Sequence, residues 1–82
     1  MDIKVLGPGC PKCKTLEKIT RDAVEELNLD ARISKVEDIM EIMQYNVMKT
    51  PALVVNGEVV HKGGLPGYEA LKDLLRKAQA QA

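Results

Sequence analysis

Residues 49–64 read KTPALVVNGEVVHKGG, and they are the most legible stretch of the chain. Ala52 to Val55 and Glu58 to His61 are β-branched and apolar runs that flank Asn56-Gly57. Both of those residues tolerate positive φ, which suits a two-residue type I′ turn. The stretch therefore predicts a β-hairpin, opened by Thr50-Pro51 and closed by the Gly63-Gly64 break.

Working outward toward the amino end, Val36, Ile39, Met40 and Met43 form one apolar stripe and predict a short helix from near Asp38 to Tyr45. Methionine thioethers suit Cu(I), but at helical spacing the expected role is core filler. Ala31 to Val36 is a weaker strand expectation, resting on Ile33, Val36 and the position between two helices. Before it, Leu16, Ile19, Thr20, Ala23, Val24 and Leu27 recur at helical spacing, with charged residues between them. This predicts a helix over about 11–27 with Asn28 as its stop. Met1 to Leu6 alternates Ile3 and Val5 with Asp2 and Lys4, and ends at Gly7-Pro8-Gly9, as a short strand followed by a turn would. On the carboxyl side of the hairpin, Leu71, Leu74, Leu75 and Ala78 predict a third amphipathic helix, with residues 78–82 as a frayed tail.

The expected order is βαβαββα, an α/β chain with no internal repeat and no linker. Strands joined through a helix favour a parallel pair with a right-handed crossover, while the hairpin supplies antiparallel strands. The simplest closure is a four-stranded mixed sheet with helices on both faces. In such sheets sites gather beyond the carboxyl ends of the parallel strands. The turn after the first strand lies there.

Eighty-two residues make one domain, 1–82, near the lower size limit for a single apolar core. With two Tyr and neither Phe nor Trp, that core should be aliphatic and Met-filled. Twelve basic residues balance twelve acidic ones, which gives no general reason to expect nucleic acid or an anionic membrane as a partner. The turn after six residues is too early for the apolar stretch of a secretory signal. No run approaches the roughly twenty apolar residues of a membrane span. The expectation is a soluble, cytoplasmic monomer.

The chain has two cysteines, Cys10 and Cys13, in LGPGCPKCKTL at residues 6–16. In a reducing cytosol a structural disulfide does not persist well, and so short a loop removes little unfolded-state entropy, so the pair points to chemistry. If Pro11 is the first helical residue, Cys10 sits at the N-cap and Cys13 at the third helical position. The unpaired N–H groups and positive dipole end of a helix stabilise a thiolate, and a thiolate is the species that attacks a disulfide. Cys10 is the expected nucleophile. Cys13, more covered but within bonding reach, is the expected resolving thiol. The rival readings are a soft-metal carrier for copper or zinc, or a redox-inactive adaptor. Structural zinc wants four ligands, and the chain offers two cysteines and one distant His.

Taken together, GCPKC at a helix start and TPALVVNGEVV about forty residues later resemble the thioredoxin-like superfamily. The likeness is closest to its small archaeal and bacterial thioredoxin/glutaredoxin-like redox-active disulfide proteins, and it covers nearly the whole chain. It implies a minimal thioredoxin-like fold with sheet order 2-1-3-4 and the third strand antiparallel to the first two. It implies a thiol–disulfide oxidoreductase with no cofactor besides a Cys10–Cys13 disulfide. A cis Thr50-Pro51 bond facing that disulfide is also implied, since only an X-Pro bond adopts cis at modest cost. Thr50 would then offer main-chain hydrogen bonds to substrate and Pro51 would keep metals from bridging the thiols. Pro11 and Lys12, between the cysteines, complete the expected substrate-binding set.

The implied partners are protein disulfides or dithiols and a thioredoxin-reductase-like electron donor. Several positions depart from the family pattern. Gly-Pro-Gly stands where thioredoxins commonly carry Trp, Pro11-Lys12 replaces their usual Gly-Pro, and no first-strand acid clearly matches their proton-transfer Asp. Glutaredoxins bind glutathione partly through Gly-Gly-x-x-Asp, but Gly63-Gly64 is followed by Leu65-Pro66-Gly67-Tyr68. Lys12, Lys49 and Lys62 leave open an acidic partner or the glutathione carboxylates, against a reading as ordinary solvated lysines. His61 is expected as a partly exposed strand residue, and Tyr45 and Tyr68 either pack or line the groove.

Overall fold

A computed structural model describes the backbone of residues 1–9 and 11–80. The elements run β1 (Asp2–Leu6), α1 (Pro11–Glu26), β2 (Arg32–Val36), α2 (Ile39–Met43), β3 (Ala52–Val55), β4 (Glu58–Lys62) and α3 (Tyr68–Ala80). They form a mixed four-stranded sheet in the order β2-β1-β3-β4. β1 and β2 are parallel, with Ile3 opposite Ile33, and β3 is antiparallel to both β1 and β4.

Local chemistry accounts for the boundaries. Asn28 has φ 55°, and the Leu29 N–H donates to the Val24 carbonyl at 3.0 Å. This is the left-handed C-terminal wrap that satisfies end carbonyls, and Asn tolerates it better than most residues. The hairpin turns at Asn56 (φ 52°) and Gly57 (φ 83°), both positive as a type I′ turn requires. The Asn56 Oδ1 accepts from the Asp2 N–H at 2.9 Å, pinning the turn to the start of β1. The register slips between Leu53–His61 and Val54–Val59, so Val60 is the extra residue of a bulge.

Strand alternation divides the apolar side chains between two layers. Ile3, Val5, Leu53 and Val55 face α1 and α3, where Leu16, Ala23, Leu71 and Leu75 close the larger core. Leu6, Ala52 and Val54 face the other way, against Ile42 and Val47. The core is aliphatic, as the composition requires, but it is not Met-filled. Ile39, Met40 and Met43, expected as the buried stripe of α2, are exposed, Met40 at 70 %, while Ile42 is buried at 2 %. The helix is only five residues long and is capped by Asp38, whose side chain accepts from the Met40 N–H at 3.0 Å. So short a helix can turn one side chain fully onto the sheet, and the cap and flanking strands select which. α3 continues to Ala80, past the residue-78 start expected for a frayed tail. Among the described residues, no helix is long and apolar enough to cross a membrane.

Candidate functional site

The carboxyl end of β1 is where the two informative sequence motifs meet. The Gly7 N–H donates to the Val36 carbonyl at 2.9 Å, tying the turn after β1 to the end of β2. Gly7 is buried. A Cβ built on it would overlap the Cys13 Sγ, stand 3.0 Å from the Cys13 Cβ, and lie 3.9 Å from the Thr50 Cβ. Only a hydrogen at this position leaves room for the sulfur. The backbone of Gly7 is therefore the floor on which Cys13 rests, with Thr50 bordering the same spot.

Cys13 is the third residue of α1 and is 5 % exposed. Among the described residues no cysteine is free. Cys10, expected as the nucleophile, lies outside the described residues. Pro11 and Lys12 are the first two residues of α1 and both are exposed. The first turn of this sixteen-residue helix carries no acidic side chain, so nothing within it offsets the positive dipole end.

Across the site, the Thr50–Pro51 peptide is cis. Pro51 is fully buried and Thr50 half-buried. The Pro51 carbonyl accepts from the Gly63 N–H at 3.1 Å, which joins the proline segment to the loop after β4. His61 Nε2 lies 3.0 Å from the Gly64 carbonyl, so that nitrogen carries the proton and donates. Its place is in loop support.

One neighbour of the site was not singled out by the sequence reading. Glu37 follows the last residue of β2, and its Oε2 would stand 3.3 Å from a Cβ on Gly9. The hydrogen bond between Gly7 and Val36 brings this carboxylate beside the turn. A pairing across strands has no signature in the local sequence, so this proximity was not legible there.

The two tyrosines each cover a lysine. Lys4 Nζ donates to the Tyr45 hydroxyl at 3.2 Å, and that bond is the main cause raising the ammonium above its ordinary pKa. Lys72 Nζ lies 5.2 Å from the Tyr68 ring centroid and pairs with Glu26 at 2.8 Å and Glu69 at 3.2 Å. The hydrogen bond with Lys72 chiefly lowers the Glu26 carboxyl and raises the ammonium, while burial chiefly raises the Tyr68 phenol. This cluster joins α1 to α3 and is structural.

The family described as "Thioredoxin domain" matches residues 1–76. A thioredoxin of Methanocaldococcus jannaschii is 39% identical over 74 residues, covering 90% of this chain and 85% of the relative. A thioredoxin of Methanothermobacter thermautotrophicus is 36% identical over 75 residues, covering 92% and 97%. Thioredoxin 1 from Thermosipho africanus TCF52B superposes with a TM-score of 0.65 over 99% of this chain and 97% of that one. Its 13% identity makes it a statement about fold.

Proposed function

This chain belongs to the thioredoxin family, and from that premise we propose that it is a thiol–disulfide oxidoreductase with Cys10 as nucleophile and Cys13 as resolving thiol. The observation that carries the reading is the convergence of Cys13 and Thr50 on the bare α-carbon of Gly7. Two segments far apart in sequence converge there, at the start of a long helix.

In the reduced protein the Cys10 thiolate attacks one sulfur of a substrate disulfide. That S–S bond breaks, a mixed disulfide forms, and the departing substrate thiolate takes up a proton. Cys13 then loses its proton and attacks the Cys10 sulfur, expelling the second substrate thiolate. Two electrons pass to the substrate, which leaves as a dithiol, and the protein ends with an internal disulfide. A thioredoxin-reductase-like donor returns the electrons. Run backwards, the same steps oxidise a dithiol, and the relative reduction potentials choose the direction.

The dipole and unpaired N–H groups at the start of α1 favour the thiolate of Cys10, with Lys12 adding positive charge. Burial of Cys13 delays its attack until the mixed disulfide is in place. Thr50 offers its backbone to an extended substrate strand, as an added β-strand would pair, with Pro51 and Pro11 shaping the contact. The protein acts as a monomer in a reducing compartment such as the cytoplasm, using its own cysteine pair in place of a bound cofactor.

Cys13→Ser should accumulate a mixed disulfide through Cys10 when the protein is challenged with a disulfide substrate, seen as a mass adduct released by dithiothreitol. If the adduct accumulates instead in Cys10→Ser, the roles are reversed. If neither variant traps substrate and the unaltered protein turns over none, the assignment is wrong.

A further inference from the structure

The rim of the site is charged asymmetrically. Sheet order β2-β1-β3-β4 places Glu37, after β2, on one side of the turn that follows β1. On the other side a concavity of about 380 Å³ is lined by Asn46, Met48, Lys49, Lys62 and Gly63. It adjoins the cis-proline segment. Lys49 immediately precedes Thr50, Lys62 is in register with Ala52, and the Gly63 N–H is bonded to Pro51.

The position of Lys49 is constrained by packing. A Cβ on Gly63 would stand 3.4 Å from the Lys49 Cβ and 3.5 Å from its Cδ, so the lysine stem runs along the bare glycine. His61, bonded to Gly64, supports the same loop. Both lysines are exposed, and neither belongs to an ion pair among the described residues. Met48 is 90 % exposed on the wall of the same concavity. Two exposed ammonium groups beside an exposed thioether complement a segment that offers carboxylates and an apolar side chain. With a net charge of zero, the protein as a whole supplies no long-range attraction, so discrimination rests on this local charge.

We propose that the Met48–Lys49–Lys62 concavity is a specificity subsite that seats an acidic residue beside the reactive cysteine of an extended protein substrate. The proposal rests on the oxidoreductase reading and names its substrate class. Glu37, on the opposite flank, disfavours a second acidic residue there and so sets the direction in which the segment lies.

Two disulfide-bridged peptides, identical except for Glu or Gln next to one cysteine, test the subsite by their ratio of kcat/KM. Exposed ion pairs of this kind predict a preference for the Glu peptide of about threefold to tenfold at low salt. That preference should fall toward one in roughly half-molar salt, where screening reaches contact distances. It should also fall toward one in the double variant Lys49→Gln/Lys62→Gln, whose unfolding midpoint reports that it is folded. A ratio near one in the unaltered protein, or a preference surviving in the double variant, overturns the subsite. So does a double variant that loses only turnover of oxidised glutathione, because the occupant would then be that small disulfide.

A non-reactive Ser-substituted form of the Glu peptide, followed by amide shifts at residues 48, 49, 62 and 63, separates docking from chemistry. Shifts there support the subsite even if neither disulfide peptide is reduced, an outcome that would sink the oxidoreductase reading alone. Unmoved amides overturn the subsite.

Discussion

Gly7→Ala is the sharpest perturbation available, because one methyl group would occupy the space of a particular sulfur. The added carbon would interpenetrate the Cys13 Sγ and press on its Cβ at 3.0 Å. Neither side yields easily: Gly7 is tied through its N–H to Val36, and Cys13 is held in the first turn of α1. Overpacking of a close-packed site costs about 1–3 kcal/mol. For a domain of this size each kcal/mol lowers Tm by about 4–8 °C, so a fall of roughly 5–20 °C is expected. Thermal unfolding followed by circular dichroism measures it, with disulfide turnover recorded in parallel.

Gly67→Ala is the matched control. Nothing lies within 4 Å of a Cβ at Gly67, so no overlap is created there; the change costs only what Ala loses relative to Gly at the start of α3, where the Gly67 carbonyl accepts from the Leu71 N–H at 2.9 Å, about 1 kcal/mol or less. Adding Cys13→Ala to Gly7→Ala should cost less than the sum of the two single changes, since the overlapping sulfur is gone. Strict additivity, or a Gly7→Ala protein with unaltered Tm and turnover, would refute the packing argument and with it the seat of Cys13 on this glycine.

The phase of α2 predicts that Ile42→Ala loses about 2–4 kcal/mol by urea unfolding, whereas Met40→Ala stays within about 0.5 kcal/mol; the reverse pattern would put the methionine stripe on the sheet. Glu26 is held below its ordinary pKa of 4.5 by Lys72, so the folded protein binds that proton less tightly than the unfolded chain. Its contribution is complete above about that pH and is lost as pH falls through the lower folded value. Glu26→Gln should therefore be less stable than the parent at neutral pH and should converge with it in acid, as read from urea midpoints across the pH range. A constant difference at every pH would remove the Glu26–Lys72 pair as its source.

Much of the fold was legible because its signals are local. The alternation of Ile3 and Val5, the helical spacing of Leu16, Thr20 and Ala23, and the Asn56-Gly57 turn each depend on residues a few positions apart. The expected element order and the 2-1-3-4 sheet agree with the observed topology. The stop at Asn28 is likewise a single-residue property, its tolerance of positive φ. α2 shows the limit: its pattern of Ile39, Met40 and Met43 looked like a core stripe, but five residues cannot set their own rotation about the helix axis. The cap at Asp38 and the strands that anchor both ends decide it.

At the site, the buried third position of α1 at Cys13 and the exposed helix start at Pro11 and Lys12 were legible in residue types and spacing, while the cis Thr50-Pro51 bond was expected through the family resemblance. Sequence alone also determined that the core would lack Phe and Trp and that long-range electrostatics would be weak, because composition and net charge survive any rearrangement of the chain. Tertiary structure alone decided that Gly7 must be bare, that Glu37 stands beside Gly9, that Lys72 is shared by two glutamates under a tyrosine, and that Lys49 and Lys62 border one hollow. Each of those facts joins groups from different elements. Their separation is set by how the sheet and helices pack, a distance that no local pattern of residues encodes.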